Sequence, residues 1–321
     1  MNPRVLALCG GIGGAKLALG LSRVLPPDDL AIVVNTGDDF EHLGLSISAD
    51  VDTVLYTLAG ISNPELGWGL AGETWAFMDQ LAKLGGEDWF RLGDRDLALH
   101  VERTRRLRQG DGLAAITADV ARRLGIGAAI LPMSDDPVRT VVETDEGVLP
   151  FQEYFVRRRC EPRVRSIRYE GADTARSNGQ ALAALADPTL EAVIVCPSNP
   201  WLSIGPLLAM PQLAAALRAT PAPVVAVSPI VGGQALKGPT AKLMRELGLP
   251  ASAVSVARYY AGLLDGFVLD AVDAGLAAAL EDEPVAVTAL PTVMTDLATR
   301  EALARGVLAF AARLSARPRN G

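Results

Sequence analysis

Residues 4–16 read Arg-Val-Leu-Ala-Leu-Cys-Gly-Gly-Ile-Gly-Gly-Ala-Lys, an apolar run followed by a cluster of glycines. The run Arg4–Cys9 is short and mostly apolar, which is typical of a strand buried on both faces of a parallel sheet. After the interruption at Gly10–Gly14, residues Lys16–Leu25 repeat apolar side chains on one side, which predicts a helix. A second buried strand at Leu30–Asn35 completes a β-α-β unit, so we expect parallel strands joined by a right-handed crossover.

The same alternation of strands and helices returns near the end of the chain. Apolar runs predict buried strands at Ala192–Cys196, Val224–Ser228, Phe267–Asp270 and Val285–Leu290, and helices at Gln212–Arg218, Pro239–Leu247 and Thr299–Ala316. Residues 61–189 depart from this alternation. There we predict helices at Glu73–Leu84 and Ala114–Leu124, strands at Ala128–Met133 and Val164–Tyr169, and a hairpin of Arg139–Glu143 and Val148–Phe151 that turns at Asp145–Gly147.

These patterns predict one domain over residues 1–321, an α/β protein with a Rossmann-like three-layer fold and a mostly parallel sheet. We expect its core to span about residues 1–60 and 190–321. The remaining residues, about 61–189, are predicted to form a smaller lobe inserted in the middle of the chain.

Composition argues against several classes of protein. The chain has a net charge of −7 and no basic stripe, so nucleic acid is not an expected partner. It has no apolar run of about 18 residues, the length that predicts a membrane span, and its first residues do not resemble a signal peptide. We therefore expect a cytoplasmic protein with no membrane partner. The spacing of Cys9, Cys160 and Cys196 predicts neither a disulfide framework nor a zinc site.

Loops rich in glycine, asparagine, serine and proline follow four of the predicted strands. They are Gly10–Lys16, Asn35–Asp39, Cys196–Pro200 and Ser228–Gly233. The carboxyl ends of neighbouring parallel strands border one crevice, and ligands bind there in open α/β sheets. We therefore expect these loops to form one ligand site.

The first of these loops is the candidate phosphate site. Gly11, Gly13 and Gly14 let backbone amides approach an anion, the following helix adds a positive partial charge, and Lys16 adds a full charge. The loop is not a P-loop, because Gly-Lys-Ser/Thr is missing, and the third glycine of a dinucleotide fingerprint would stand at position 16. The alternative is a tight turn that binds nothing; we favour phosphate.

Four carboxylates lie close to the end of the second predicted strand. Asp38 and Asp39 end the sequence NTGDD, and Asp50 and Asp52 follow shortly after. Such carboxylates repel one another unless a cation lies among them, and Mg²⁺ needs few of them when substrate phosphate and water complete its shell. Asp38, Asp39 and Asp50 are therefore candidate metal ligands, and Asp50 and Asp52 are candidate catalytic residues. Helix capping by Asp38 or Asp52 is the alternative.

The two later loops offer candidate contacts to a donor nucleotide. Ser198 and Asn199 supply hydrogen bonds suited to a base or a ribose. Gly232 and Gly233, with Lys237 beyond them, form a second candidate anion cradle. Each segment is also compatible with turn formation alone.

The remaining basic and aromatic residues leave alternatives open. Arg91 is a candidate clamp for a phosphate or a polarised carbonyl, with an exposed turn as the alternative. The runs Arg103–Arg108 and Arg157–Arg165 are predicted to lie on solvated faces, unless one or two of these arginines meet substrate phosphate. Trp68 is expected in the core. His100 has no serine or cysteine in a nucleophile setting, so a hydrolytic triad is not expected.

The ordered set of motifs resembles a known family, that of 2-phospho-L-lactate transferase in the biosynthesis of the deazaflavin coenzyme F-420. The motifs are Gly10–Leu17 (GGIGGAKL), Asn35–Asp39 (NTGDD), Asp50–Thr53 (DVDT), Leu92–Leu97 (LGDRDL), Leu131–Pro137 (LPMSDDP), Cys196–Pro206 (CPSNPWLSIGP) and Ser228–Pro239 (SPIVGGQALKGP). Each is weak alone, but the ordered set is specific and covers most of the chain.

The resemblance implies an enzyme of the phosphotransferase type and its substrates. The donor would be a guanosine-diphosphate-linked phospholactate, phosphoenolpyruvate or phosphoglycerate, the acceptor would be the deazariboflavin Fo, and GMP would leave. Mg²⁺ would assist, and the protein would be a homodimer. By motif match, Asp52 and Arg91 would contact Fo.

Two other functions remain open. A related regulatory family, the gluconeogenesis-factor type, has a similar glycine-rich start and would bind a UDP-sugar without transferring it. The motifs LGDRDL and LPMSDDP favour the transferase. A nicotinamide oxidoreductase is disfavoured by the missing third glycine.

Overall fold

The computed structural model describes residues 2–236 and 238–315. Its strands are β1 Val5–Cys9, β2 Leu30–Val34, β3 Phe40–His42, β4 Leu45–Ile47, β5 Ala129–Pro132, β6 Arg139–Thr144, β7 Gly147–Pro150, β8 Val164–Glu170, β9 Ala192–Val195, β10 Val224–Val227, β11 Ile230–Val231, β12 Gln234–Ala235, β13 Gly266–Asp270 and β14 Ala286–Leu290.

The α-helices are α1 Gly11–Val24, α2 Ala49–Ala59, α3 Ala76–Lys83, α4 Asp96–Arg108, α5 Leu113–Arg123, α6 Gly179–Ala186, α7 Gly205–Leu208, α8 Pro211–Ala219, α9 Thr240–Glu246, α10 Ala253–Tyr259 and α11 Leu297–Ser315. Short 3₁₀ segments span Pro27–Asp29 and Ala271–Leu280, and π-helical turns span Glu153–Arg157 and Pro200–Ile204.

Seven strands form one parallel sheet in the order β14-β13-β10-β9-β1-β2-β5. Every residue of β1, β2, β9, β10 and β13 is buried, as expected for strands covered on both faces. Leu6 and Leu8 pack into the core on one face, whereas Val5, Ala7 and Cys9 pack into the core on the other. The predicted three-layer α/β fold is therefore confirmed.

The sheet reverses its direction of growth between β1 and β9. From β1 the chain adds β2 and then β5 on one side, and it returns to add β9, β10, β13 and β14 on the other. Helix α1 packs against both α2 and α11 on one face, while α6 and α8 pack together on the opposite face. A doubly wound sheet opens a crevice at this switch point, above the carboxyl ends of the strands.

The middle of the chain builds most of a lobe beside this crevice. A three-stranded antiparallel sheet, β7-β6-β8, contains the predicted hairpin. The side chain of Asp94 accepts hydrogen bonds from the amides of Ala76 and Phe77 at the start of α3, and Glu73 accepts from the amides of Arg95 and Asp96 at the start of α4. The segment that precedes each helix therefore caps the first turn of the other helix.

Three features differ from the sequence predictions. Strand β5 lies within residues 61–189 but pairs in parallel with β2. This range therefore forms the inserted lobe and also contributes the edge strand of the central sheet. Helix α1 begins at Gly11, five residues before the predicted start. Helix α4 was not predicted, because its segment is rich in charged residues and shows no clear helical repeat of apolar side chains. Ala316, in the predicted last helix, lies outside the described residues.

No single helix within residues 2–236 and 238–315 has both the length and the apolar content to cross a membrane. The apolar pair Pro200–Leu208 and Pro211–Ala219 is bent by 88° at its junction and contributes buried side chains to the core.

Candidate active site

A cavity of about 820 Å³ opens at the carboxyl ends of β1 and β9. All four predicted loops contribute to it, and the lobe closes its other side. Its lining includes Gly10, Gly11, Ile12, Gly13, Lys16, Asp38, Asp50, Asp52, Tyr56, Trp68, Trp89, Phe90, Arg91, Asp96, His100, Phe151, Gln152, Phe155, Arg159, Ser198, Asn199, Ser228, Pro239, Thr240 and Thr292. The sheet's switch point thus brings the glycine turn and the early aspartates to one site.

The glycine turn contributes backbone amides and a lysine to the cavity wall. The first turn of α1 contains no acidic residue, and an α-helix leaves its first amides without intrahelical partners. The amide of Gly11, where φ is +65°, donates to Asp50 Oδ1 over 2.8 Å, and Ile12 and Gly13 follow on the cavity wall. Lys16 lines the same wall, with its Nζ 3.2 Å from the carbonyl oxygen of Met294. This arrangement suits a phosphate.

Close packing also requires glycine in this turn. A Cβ at position 13 would lie 2.5 Å from the carbonyl oxygen of Pro197, and a Cβ at position 14 would lie 2.4 Å from Ser198 Oγ. Gly14 faces Ser198 and Cys9 and is not among the residues that line the cavity. Gly14 was predicted to bind phosphate, but its position instead allows α1 to pack closely against the loop after β9.

Asp38 and Asp50 lie together on the cavity wall. Asp50 accepts from the Gly11 amide and from Asn35 Nδ2, the latter over 2.9 Å, and burial raises its pKa. Asp38 Oδ1 is buried and has no hydrogen-bond partner within the described part of the chain. Burial, and the nearby charge of Asp50, raise the pKa of Asp38 well above its ordinary value, while the side chains of Asn35 and Thr140 act to lower it. A buried carboxylate oxygen with no partner is costly unless a ligand or a cation meets it.

The pair fits Mg²⁺ only when a substrate shares the ion. Within residues 2–236 and 238–315, no three His, Cys, Asp or Glu side chains are arranged to hold a metal by themselves. Two carboxylates, completed by phosphate oxygens and water, are nevertheless a common Mg²⁺ site. Asp39, the third predicted ligand, does not line the cavity. Its Oδ2 accepts from Ser48 Oγ over 2.7 Å, and burial raises its pKa to about 7.

Asp52 belongs to a buried network that joins α2 to α4. Arg103 donates from both terminal nitrogens to the two oxygens of Asp52, with Nη1 to Oδ2 at 3.1 Å. Nδ1 of His100 lies 3.7 Å from Asp52 Oδ2, and its Nε2 lies 3.5 Å from Asp96 Oδ2. Tyr56 donates its hydroxyl to Asp96 Oδ1. Burial raises the pKa of Asp52, and the charges of Arg103 and His100 oppose that rise.

The predicted solvated face for the first basic run is therefore wrong at Arg103. That side chain is 1% exposed, whereas Arg105 on the same helix is exposed and pairs with Glu102. Sequence reasoning could not separate them, because the partner of Arg103 lies 51 residues away.

Aromatic side chains form the wall on the lobe side. Trp89, Phe90 and Phe155 line the cavity, and Phe90 meets Phe40 edge to face at 4.8 Å between ring centroids. Trp68, expected in the core, is 40% exposed and faces the cavity. Arg91 also lines it, with its guanidinium 4.0 Å from the ring centre of Trp75. This wall was not predicted from the sequence; the adjacent aromatic residues Trp89 and Phe90, directly before Arg91, are the signal that could have indicated it.

The donor-side predictions have mixed placements. Ser198 and Asn199 line the cavity, and Asn199 Oδ1 also accepts from the amides of Trp201 and Leu202 at the start of a π-helical turn. Gly232 and Gly233 lie in the β11–β12 turn, outside the cavity lining, and the Gly232 amide donates to Asp273 Oδ2 over 2.9 Å. Lys237 lies outside the described residues.

A doubly wound sheet and a cavity with a helix N-terminus, paired carboxylates and an aromatic wall are typical of α/β proteins that bind a phosphorylated ligand. Residues 5–305 match the family 2-phospho-L-lactate transferase CofD. The chain belongs to this family and is a transferase of it.

Curated relatives agree with this assignment, and a solved structure shares the fold. The chain is 41% identical over 314 residues to the phosphoenolpyruvate transferase of Streptomyces griseus, and this alignment covers 96% of this chain and 98% of that protein. It is 42% identical over 315 residues to the protein of the same name from Kitasatospora aureofaciens, with the same coverage. A UPF0052 family protein from Bacillus halodurans shares the fold, with a TM-score of 0.61, 15% identity and coverage of 96% and 99%.

Proposed function

We propose that the protein transfers a phosphoenolpyruvyl or 2-phospholactyl group from a guanosine-diphosphate-linked donor to a hydroxyl group of the deazaflavin Fo, with release of GMP. One observation carries the proposal. The lining of one cavity brings together the N-terminus of α1 with Lys16, the aromatic rings of Trp89 and Phe90, and the carboxylates of Asp38 and Asp50. A diphosphate suits the first, and a planar ring suits the second.

The proposed donor site uses the first turn of α1. The amides of Ile12 and Gly13 and the ammonium of Lys16 bind the diphosphate, and Ser198 and Asn199 contact the guanosine. The names of the relatives from Streptomyces griseus and Kitasatospora aureofaciens favour phosphoenolpyruvate as the three-carbon acid. Phospholactate and phosphoglycerate are the alternatives that the assay below distinguishes.

The proposed chemistry is a displacement at phosphorus. Of the two phosphates in the donor's diphosphate, one belongs to GMP and the other to the three-carbon group. A hydroxyl oxygen of the acceptor bonds to the phosphorus of the three-carbon group, the bond from that phosphorus to the bridging oxygen breaks, and GMP leaves with that oxygen. Asp38 Oδ1, which is buried and without a partner among the described residues, accepts the hydroxyl proton. When bound by Asp38 and Asp50, Mg²⁺ would neutralise charge on the phosphates.

In this proposal Asp52 binds the acceptor and does not take the proton, because Arg103 donates to both of its oxygens. Arg91 contacts the same acceptor from its position over Trp75. The aromatic rings of Trp89, Phe90 and Trp68 provide surfaces for the deazaflavin.

The test combines the purified protein, Fo and Mg²⁺ with each of the three donors in turn and follows the products by mass spectrometry. We expect a product that contains Fo and the three-carbon phosphate, with one GMP per product, and the highest kcat/KM with the phosphoenolpyruvate donor. The variant Asp173→Asn, a change at an exposed aspartate, should form the same product at the wild-type rate. Binding of a UDP-sugar without any transfer to Fo would instead support the regulatory alternative. A cytoplasmic location and a homodimer stay predictions.

A further inference from the structure

Helices α2 and α4 face each other through a polar contact, which we call the α2–α4 seam. Asp52 and Tyr56 lie four residues apart on α2, and Asp96, His100 and Arg103 lie at matching intervals of four and three on α4. These spacings place each set on one helix face. All five side chains are buried, yet four of them also line the cavity; Arg103 does not.

Arg103 is fixed from several directions. Its two terminal nitrogens donate to the two oxygens of Asp52, and Nη1 also lies 3.2 Å from the carbonyl oxygen of Ser46, beside the site. The next residue, Thr104, accepts from the amide of Ser46 over 2.8 Å. The guanidinium therefore has one position relative to both α2 and the β3–β4 hairpin.

This geometry restricts what Asp52 can do. A guanidinium fork takes one lone pair from each carboxylate oxygen and holds the carboxylate plane in a single orientation. The lone pairs that remain can accept hydrogen bonds from a ligand in the cavity. Asp52 is thereby a fixed acceptor of hydrogen bonds on the cavity wall.

We propose that Arg103 is a positioning residue for the acceptor: it fixes Asp52 in the orientation that binds the acceptor substrate, without touching that substrate itself. The inference rests on the proposed function, since it takes Asp52 as an acceptor contact. It predicts that loss of Arg103 weakens acceptor binding selectively, because the proposed phosphate contacts come from α1. Asp50, which shares α2 with Asp52, is held separately by hydrogen bonds from Gly11 and Asn35.

The test compares Arg103→Met and Arg103→Lys with the matched control Arg105→Met, which removes an exposed arginine from the same helix. Acceptor affinity is measured by fluorescence titration with Fo, and donor KM by GMP release. We expect Arg103→Met to raise the acceptor Kd at least tenfold and to change the donor KM by less than twofold. Arg103→Lys keeps the charge but loses the fork, so its acceptor Kd should fall between those of wild type and Arg103→Met.

A double variant separates positioning from a general structural role. If Arg103 acts through Asp52, the variant Asp52→Asn/Arg103→Met should bind Fo no more weakly than Asp52→Asn alone. The double variant also avoids a buried carboxylate without its partner, so it remains testable if Arg103→Met does not fold. An unchanged acceptor Kd in Arg103→Met, equal losses for donor and acceptor, or additive losses in the double variant would each overturn the inference. Wild type that neither binds Fo nor releases GMP would reject the proposed function instead.

Discussion

Asp38 and Asp39 are neighbours in sequence but lie in different surroundings. Asp38 lines the cavity, whereas Asp39 does not and accepts a hydrogen bond from Ser48. Among the described residues, each of the two also has one buried carboxylate oxygen without a hydrogen-bond partner, so it is the cavity that distinguishes Asp38. If Asp38 accepts the proton of the acceptor hydroxyl, Asp38→Asn should lower kcat by about 10²–10⁴, the usual contribution of a general base, even at Mg²⁺ concentrations that saturate the variant. The measurement is GMP release at saturating substrates.

The fold of the Asp38→Asn variant should be intact, because an amide replaces a carboxyl group of the same shape. Circular dichroism and the unfolding midpoint provide that control. A variant that folds like wild type and turns over at the wild-type rate would remove Asp38 from the mechanism.

Asp39 should make the stability of the protein depend on pH. Burial raises its folded pKa from 3.8 to about 7. Between these two values the unfolded chain has lost a proton that the folded chain still holds, so the free energy of unfolding falls as pH rises from about 4 to 7. At about 1.4 kcal/mol per pKa unit, this single group accounts for a fall of at most about 4 kcal/mol.

The variant Asp39→Asn cannot titrate and keeps an oxygen for the Ser48 hydroxyl. Its free energy of unfolding should therefore rise relative to that of wild type between pH 4.5 and pH 7.5. Urea unfolding at a series of pH values measures this difference. A difference that stays constant over this range, or that falls, would contradict the assignment; Asp173→Asn is the exposed control.

At this scale, the sequence identified the acidic residues but not their partners. Four carboxylates after one strand indicated a polar site, and Asp38, Asp50 and Asp52 do line one cavity. The roles could not be separated, because hydrogen bonds from Gly11, Asn35 and Arg103 decide which oxygens are free. Those bonds are contacts between distant segments, which no local pattern encodes.

The first turn of α1 shows how an element can require glycine for packing as well as for binding. A Cβ at position 13 would lie 2.5 Å from a backbone oxygen, which cannot rotate away. Gly13→Ala should therefore destabilise the fold by about 1–3 kcal/mol, the usual cost of overpacking a well-packed site. It should also weaken donor binding, because α1 and the loop after β9 must separate.

Gly179→Ala is the matched control, since Gly179 begins α6 and a Cβ there would meet nothing within 4 Å. We expect it to be neutral or to stabilise the fold by about 0.4–1 kcal/mol. Urea midpoints of the two variants make the comparison. Equal stability of Gly13→Ala and wild type would mean that the helix start can shift at little cost.

Elements with strong local signals were predictable, and those that depend on tertiary context were not. The runs that became β1, β2, β9 and β10 are apolar throughout, as buried parallel strands require. Helix α4 has a polar inner face, because the α2–α4 seam replaces an apolar stripe. Strand β5 was predicted as a strand, but its place at the sheet edge follows from pairing with β2, nearly 100 residues earlier.

In the whole molecule, several distant parts of the chain meet at the switch point between β1 and β9. The α1 turn, the loops after β2, β9 and β10, and the lobe all border one cavity. A ligand that contacts these parts together binds the folded chain and not the unfolded one. Ligand binding should therefore stabilise the entire fold by mass action.

GDP with Mg²⁺ should accordingly raise the melting temperature more than GDP with EDTA does. At a free ligand concentration 100 times its Kd, one site adds about 2.7 kcal/mol to the free energy of unfolding. For a domain of about 150–250 residues, each kcal/mol of added stability raises the melting temperature by about 2–4 °C. This chain is longer, so its melting temperature should rise by no more than about 2–4 °C per kcal/mol. Differential scanning calorimetry measures the shift.

The part of that shift that depends on Mg²⁺ should require the carboxylates beside the diphosphate. In Asp38→Asn we expect the melting temperatures with Mg²⁺ and with EDTA to converge in the presence of GDP, because only Asp50 remains of the pair. The control is Asp173→Asn, which should keep the full difference. If Asp38→Asn keeps it too, the ion is not held beside Asp38, and the carboxylate pair must be removed from the proposed site.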